Sequence, residues 1–256
     1  MGRIPLPTMV RQMSPALLVT SLFCWLLLYA TSQELQSVPL CTPSQTLVTA
    51  GAAFSTIYGI NVTAVLATGL WIIMVIAMTA PLLAQPIAQL RLRSLARRRD
   101  RSVGLFAAAY LLLWIAAAPV LLAAPRAIEV LAGTTGLPAI AIAVAIAAIW
   151  QATPLRQRAL NRCHRAPNLS AFGRAADRDC IQFGLTHGFW CAATCTPLML
   201  LPMTAPALHL PLMLLLSVAL QLERLAPARA PSWTLRILPG QFAAVTLFRS
   251  IRWTLR

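Results

Sequence analysis

Six long apolar stretches dominate this sequence, and we expect the polar or arginine-rich segments between them to be loops. They run approximately over residues 16–32, 62–84, 103–124, 135–152, 181–204 and 207–222. A helix needs about 20 apolar residues to cross the hydrocarbon core of a bilayer. Hydrophobic residues make up 59% of the chain and charged residues only 11%, too little polar surface for a soluble domain of 256 residues. We therefore predict an all-α integral membrane protein with about six transmembrane helices.

The positive charge comes wholly from arginines, and their distribution predicts the orientation of the chain. The sequence has 21 arginines and no lysine, and its formal net charge is +15. Arg126 is the only arginine in a segment that six spans leave on the outer side. Because positively charged segments stay in the cytoplasm, we expect both termini to be cytoplasmic, in the bacterial cytoplasmic (inner) membrane. This topology accounts for the charge, so we expect the lipid bilayer and not nucleic acid as a partner.

The two ends of the chain each allow two interpretations. Residues 1–32 combine a basic start, an apolar run and a weak cleavage motif at 30–32, as in a signal peptide. We expect an uncleaved first span, in a single transmembrane domain over 1–226. The cytoplasmic tail, 227–256, interleaves aromatic residues with arginine. That pattern is typical of a segment lying on the anionic inner leaflet, and docking onto a partner protein explains it equally well.

A ladder of soft side chains occupies the fifth apolar stretch. His187, Cys191, Cys195, Met199 and Met203 recur at every fourth residue. At 3.6 residues per turn, this spacing places all five near one face of a helix. Imidazole, thiolate and thioether groups are ligands that suit copper(I) and related soft ions. The ladder therefore indicates a bound soft metal ion or a path for one.

Two other spans place soft side chains at a similar depth. Met74 and Met78 lie four residues apart in the second span, as do His209 and Met213 in the sixth. If these spans pack against the fifth, their soft faces converge. The predicted metal ligands are the thiols of Cys191 and Cys195, the thioethers of Met78, Met199 and Met213, and His187 at an entry or exit position. Packing is the alternative, because methionine and cysteine also fill ordinary cores.

The sequence contains no catalytic signature, and we expect no enzymatic activity. It lacks a phosphate-binding glycine loop, a paired metalloprotease histidine motif and a nucleophile elbow. Glu223 is the only acidic residue in or at the edge of a predicted span. The cysteines outside the ladder are interpreted as structural or incidental: Cys24, Cys41, Cys163 and Cys180. A metal site at Cys163-His164 is a weaker alternative.

Several segments carry a resemblance to a known family. The matching residues are Trp71, Met74, Ala77, Met78 and Pro81; Tyr110 and Trp114; Trp150, Gln151, Thr153, Pro154, Leu155, Arg156 and Cys163; Gly184, His187, Gly188, Cys191, Cys195, Leu198 and Met199; and Met213, Glu223 and Arg224. Over most of its length the chain resembles a bacterial family of predicted metal-binding integral membrane proteins, sometimes labelled copper chaperones. The resemblance implies a shared fold and, as the bound ion, copper(I).

The chain departs from that family where the family carries some of its soft residues. Thr194 stands at the middle cysteine of the family's Cys-x-x-Cys-Cys-Trp motif, and Thr196 stands at its tryptophan. Thr79 replaces the second methionine of a Met-Met pair, and Leu208 replaces a methionine after the outer turn. Part of the metal motif is therefore missing from this chain.

Three functions are compatible with the sequence. The first is a non-enzymatic membrane protein that binds copper(I) or delivers it to another membrane protein. The second is a structural accessory subunit of a larger membrane complex that has lost metal binding. A transporter ranks last, because the spans lack the intramembrane charge pairs and repeated broken helices that coupled transport uses.

Overall fold

A computed structural model describes residues 15–34, 62–165, 169–170, 172–225, 228 and 230–233. Within these ranges every regular element is a helix, as the sequence predicted. The α-helices are α1 (Pro15–Glu34), α2 (Val62–Thr79), α3 (Ala84–Arg93), α4 (Arg99–Thr135), α5 (Ala139–Ala152), α6 (Pro154–Cys163), α7 (Gly173–Thr204) and α8 (His209–Leu225). Short 3-10 helices lie at Pro81–Leu83, Ala96–Arg98 and Pro206–Leu208. The predicted tail lies largely outside the described residues.

The helix α4 is longer than the third apolar stretch predicts. It runs from Arg99 to Thr135 without interruption and includes Pro119 and Pro125. It ends at Gly136, whose φ of 70° suits glycine, and whose N–H donates to the Ala132 carbonyl. The loss of a backbone hydrogen bond at each proline has therefore not divided the helix.

Proline also bends the chain at the end of α2. The axes of residues 68–79 and 81–93 differ by 54°. Because Pro81 has no N–H, the Ala77 carbonyl lacks its usual partner within the helix. The Ser21 hydroxyl donates to that carbonyl instead, at 2.6 Å, and so attaches α1 to α2. The bend thus creates an acceptor that the neighbouring helix uses.

The arginine-rich segments predicted as loops are largely helical. The segment after the second stretch contains α3 and the start of α4, and the segment after the fourth contains α6 and the start of α7. A bend of 68° separates α5 from α6. Thr153 caps α6 by accepting a hydrogen bond from the Arg156 N–H, and Pro154 supplies a favourable first residue. These local signals explain why helix replaces the predicted loop.

One helix of the described chain is long and apolar enough to cross a membrane, at 96–135. Two bent pairs, 68–79 with 81–93 and 139–152 with 154–163, raise the number to three if each forms one span. The apolar part of α1, Pro15–Thr31, is shorter than a span. All six predicted stretches contain a helix, but α7 and α8 are not among these candidate spans.

The helix α7 lies at the centre of the fold, packed against α4, α5, α6 and α8. Near its beginning, Asp177 binds Arg98 and Arg101 of the α4 region. These guanidinium groups, Arg101 first, hold the pKa of the Asp177 carboxyl below its usual range. The helices α4 and α7 approach each other closely at Gly184. A Cβ there lies 2.5 Å from the Phe106 carbonyl oxygen.

We expect Gly184→Ala to destabilise the protein by about 1–3 kcal/mol, because the added methyl group forces α7 away from α4. Thermal unfolding of the purified protein in detergent measures the loss. Gly104→Ala is the matched control, since a Cβ at Gly104 has no atom within 4 Å. That variant is expected to be neutral or slightly stabilising, because alanine favours helix over glycine by about 1 kcal/mol. Equal effects of the two substitutions would contradict the close packing at Gly184.

Candidate metal site

Two thiols lie side by side in the core, one turn apart on α7. The side chains of Cys191 and Cys195 are 0% and 2% exposed. The Tyr110 hydroxyl donates to the Cys191 sulfur at 3.3 Å. The Thr194 hydroxyl donates to the Cys191 carbonyl at 2.8 Å and lies 3.7 Å from the Cys195 sulfur. Residues from α4 and α7 thus orient both thiols within one buried polar group.

A guanidinium group lies over the two thiols. Arg224, at the end of α8, donates from Nη2 to the Thr194 hydroxyl at 3.5 Å. Its charge acts on Cys191 and Cys195. Its Nε is buried without a hydrogen-bond partner. Among the residues that the structure describes, no carboxylate pairs with Arg224, so its positive charge is available to stabilise negative charge on the sulfurs.

Glu223, the acidic residue next to Arg224 in the sequence, forms its ion pair with a different arginine. Glu223 forms an ion pair with Arg156 of α6, and the two side chains are 11% and 1% exposed. This pair joins the first turn of α6 to the last turn of α8. Glu223, predicted at the inner edge of the sixth stretch, therefore neutralises Arg156 and not Arg224.

A third thiol belongs to the same electrostatic environment. Cys163, at the end of α6, is buried and interacts with Arg224 and Cys191. Burial raises the pKa of the Cys163 thiol to about 12, so it is protonated at neutral pH. The sequence interpretation of Cys163 as structural or incidental did not anticipate this position. A Cys163-His164 metal pair is disfavoured, because both ring nitrogens of His164 lie 2.9 Å from the carbonyl oxygens of Leu160 and Arg224.

His187 lies one turn before Cys191 in an aromatic environment. Its ring is 4% exposed and packs against Phe106, Tyr110 and Phe183, with centroids 5.8–6.2 Å apart. Its Nε2 is buried and has no hydrogen-bond partner. A buried polar nitrogen without a partner is uncommon and destabilising, and a ligand at Nε2 resolves it.

The thioether groups predicted as ligands differ in whether they line a cavity. Met78, Met199 and Met213 are all buried in the main core together with the cysteines. Met213 lines a small cavity with Met74 and His209, and none of the other five predicted ligands lines that cavity. The predicted residues therefore do not surround one common cavity.

Over the described part of the chain, no group of three or more His, Cys, Asp or Glu side chains is arranged to hold a metal ion. His187 consequently does not complete a three-residue cluster with Cys191 and Cys195. Besides the thiols, the buried core around the pair offers the thioether sulfurs of Met78 and Met199. A two-thiol core with soft neighbours fits copper(I) better than zinc, which takes four nitrogen, sulfur or oxygen ligands in structural sites.

Sequence reasoning missed three of the residues around the thiols. Tyr110 and Arg224 belong to the motifs that carry the family resemblance, and Thr194 was noted only as a departure from them. Their spacing along the chain gives no sign that they meet, because Tyr110 and Arg224 lie on different helices from the cysteines. A buried arginine beside cysteines is a signal that only the packing reveals.

The comparison with known families agrees with this chemistry. A family model described as "PpoB2: Copper chaperone" matches residues 68–248, which include Tyr110, all of α7 and Arg224. No curated protein and no solved structure matches the chain. Because the family match covers most of the sequence, the chain belongs to the PpoB2 copper chaperone family.

Proposed function

We propose that this protein is a non-enzymatic membrane copper chaperone that holds copper(I) between Cys191 and Cys195 and passes it to another membrane protein. The observation that carries the proposal is the buried thiol pair beside a guanidinium without a carboxylate partner. Soft thiolates favour copper(I) among the common cellular metals. The family to which the chain belongs supports copper as the cargo.

The charge balance favours a monovalent soft ion. Two thiolates and one copper(I) ion together carry a single negative charge, and an isolated charge in a buried site is unfavourable. Arg224 supplies the compensating positive charge without occupying a coordination position, because guanidinium is not a metal ligand. A divalent ion between the same two thiolates forms a neutral complex and leaves Arg224 uncompensated. The site therefore selects for monovalent charge as well as for softness.

The remaining predicted ligands have subsidiary roles in this proposal. Met78 and Met199 offer thioethers from the core around the thiol pair. His187 receives or releases the ion one turn away, where its Nε2 has no other partner. We assign Met213 to the cavity that it lines with Met74 and His209.

The topology that we propose is the six-span one, with both termini in the cytoplasm of a bacterial inner-membrane protein. The arginine distribution supports it, and so does the helix found in each apolar stretch. In this arrangement α3, α6 and the start of α7 lie at the cytoplasmic face, with the Arg224 end of α8 beside them. The tail over 227–256 completes the cytoplasmic side, either on the inner leaflet or on the recipient protein.

Copper retention tests the proposed function. Elemental analysis of protein purified from copper-supplemented cells is expected to give about one tightly held copper per chain, because thiolates are its strongest ligands here. Cys191→Ser with Cys195→Ser is expected to abolish retention. The matched control is Cys180→Ser, which changes another buried cysteine of α7. Full copper content in the double variant contradicts the proposal.

A second candidate function is a structural accessory subunit without metal. It is favoured by Thr79 and Thr194, which are buried where the related family carries soft residues. The Thr194 hydroxyl donates its hydrogen bond to the backbone carbonyl of Cys191 in the same helix. This candidate predicts a stable complex in mild detergent that survives the double cysteine substitution and is lost when 227–256 is deleted. A partner-free, monodisperse protein in native membrane extracts contradicts it.

A further inference from the structure

A small cavity between α1, α2 and α8 brings together three soft donors that are not part of the thiol pair. Met74 comes from α2, and His209 and Met213 come from α8. About 10 Å³ of the cavity is open to a water-sized sphere, roughly the room that one water molecule needs. Its other lining residues are apolar, among them Trp25 and Leu28 of α1. The cavity therefore presents sulfur and imidazole groups in otherwise apolar surroundings.

The His209 ring is held as a metal-binding histidine is usually held. Pro202 lies in the last turn of α7, and the residue four positions later, Pro206, has no N–H to donate to it. The His209 Nδ1 lies 2.9 Å from this Pro202 carbonyl oxygen. A carbonyl only accepts, so Nδ1 carries the proton, and in the neutral ring the lone pair is on Nε2. Histidines that bind metals commonly donate their other N–H to a backbone carbonyl in this way.

We propose that Met74, Met213 and His209 form a second soft-metal site, which takes copper(I) through two thioether sulfurs and the His209 Nε2. For the identity of the cargo this proposal rests on the proposed function. All three donors are neutral and keep the ion's positive charge, so they suit a monovalent ion better than a divalent one. Thioethers and imidazole are established soft and borderline ligands for copper.

The two sites differ in strength because their donors differ in charge. The thiol pair binds as thiolates and releases protons, whereas the second site binds without deprotonation of a thiol. The second site is therefore the weaker of the two, and it loses its ion during purification. It lies beside the turn that joins α7 to α8, whereas Arg224 and the thiol pair lie towards the opposite end of α8. A weak site near the start of α8 and a strong site near its end form a two-step path for the ion.

Titration of the full-length protein in detergent with silver(I), a redox-stable substitute for copper(I), tests the second site. Bound silver is counted by elemental analysis at saturating free silver. Compared with the parent, Cys191→Ser/Cys195→Ser is expected to bind one ion fewer per chain, Met74→Leu/Met213→Leu one fewer, and the four-fold variant two fewer. Methionine to leucine conserves volume, and each substitution is expected to lower stability by less than about 1.5 kcal/mol. Met203→Leu is the control, a buried methionine of α7 that does not line the cavity.

The outcomes separate the two proposals. If Met74→Leu/Met213→Leu binds as many ions as the parent, the second site is wrong, whatever the cysteine variant does. If the cysteine variant binds as many ions as the parent while the methionine variant loses one, the second site stands and the thiol site fails. If the double methionine variant is not monodisperse, the silver affinity of the single variant Met213→Leu is measured instead. Loss of a direct ligand is expected to weaken the second silver by about tenfold or more, and an unchanged affinity overturns the proposal.

Discussion

Glu223→Ala is expected to destabilise the protein by about 3–5 kcal/mol, because it leaves the Arg156 charge buried without a partner. Arg156 is 1% exposed, and its Nε already lacks a hydrogen-bond partner. The ion pair also holds α6 against α8, next to the hydrogen bond from His164 to the Arg224 carbonyl. Equilibrium unfolding of the detergent-solubilised protein measures the loss.

A matched control for this prediction lies on the exposed side of α4. Glu129 pairs with Arg126, and both side chains are largely exposed to the surroundings of the chain. Removal of an exposed pair changes stability by about 0–1 kcal/mol. Glu129→Ala should therefore be nearly neutral. If Glu223→Ala is no more damaging than Glu129→Ala, the buried pair does not fasten α6 to α8.

Arg224→Leu is expected to lower the affinity for copper(I) by about ten- to a hundredfold, the range seen when groups that support metal ligands are removed. The substitution takes away the charge that compensates the copper-thiolate complex, and leaves Cys191 and Cys195 in place. Stability should not fall in parallel, because the variant also removes a buried guanidinium whose Nε has no partner. Competition with a chromogenic copper(I) chelator gives the affinity.

Arg158→Leu is the control for the charge effect, since Arg158 is an exposed residue of α6. It changes the net charge of the protein equally but lies outside the thiol environment. Parallel losses of affinity in both variants point to a general electrostatic effect and contradict a local role for Arg224. An unchanged affinity in Arg224→Leu contradicts the charge-balance argument itself.

The helices were largely predictable from the sequence, because apolar runs of this length have few alternatives to helix. The first and last residues of the helices were predicted less accurately. Nothing in the run from 103 to 124 showed that α4 continues to Thr135 through two prolines. The arginine-rich segments were expected to be loops, although Thr153-Pro154 is a recognisable helix start. The density of arginines in this segment suggested a loop, although the sequence contained the helix-capping signal at Thr153.

The candidate site was predictable only in part. The spacing of His187, Cys191 and Cys195 places them on one face of a helix, and the structure buries all three. Spacing cannot show which neighbouring helix meets that face. The approach of Cys163 and Arg224 depends on the 68° bend before α6 and on how α8 packs against α7. The packing of α8 also places Met213 beside the cavity that it lines with Met74 and His209.

The geometry of the site explains why some of the residues that carry the family resemblance are needed. Tyr110 binds the Cys191 sulfur, Arg224 faces the thiols, and Glu223 neutralises Arg156. Gly184 allows the close approach of α7 to α4 that brings Tyr110 to Cys191. The motifs therefore describe the surroundings of the thiol pair as well as the pair itself.

The most direct test of copper(I) binding by the thiol pair is X-ray absorption at the copper edge of the copper-loaded, full-length protein. The account predicts the edge of copper(I) and a first shell dominated by sulfur, both lost in Cys191→Ser/Cys195→Ser and kept in Cys180→Ser. A first shell of nitrogen and oxygen only, or an identical spectrum in the double cysteine variant, would contradict the thiol pair as the copper site.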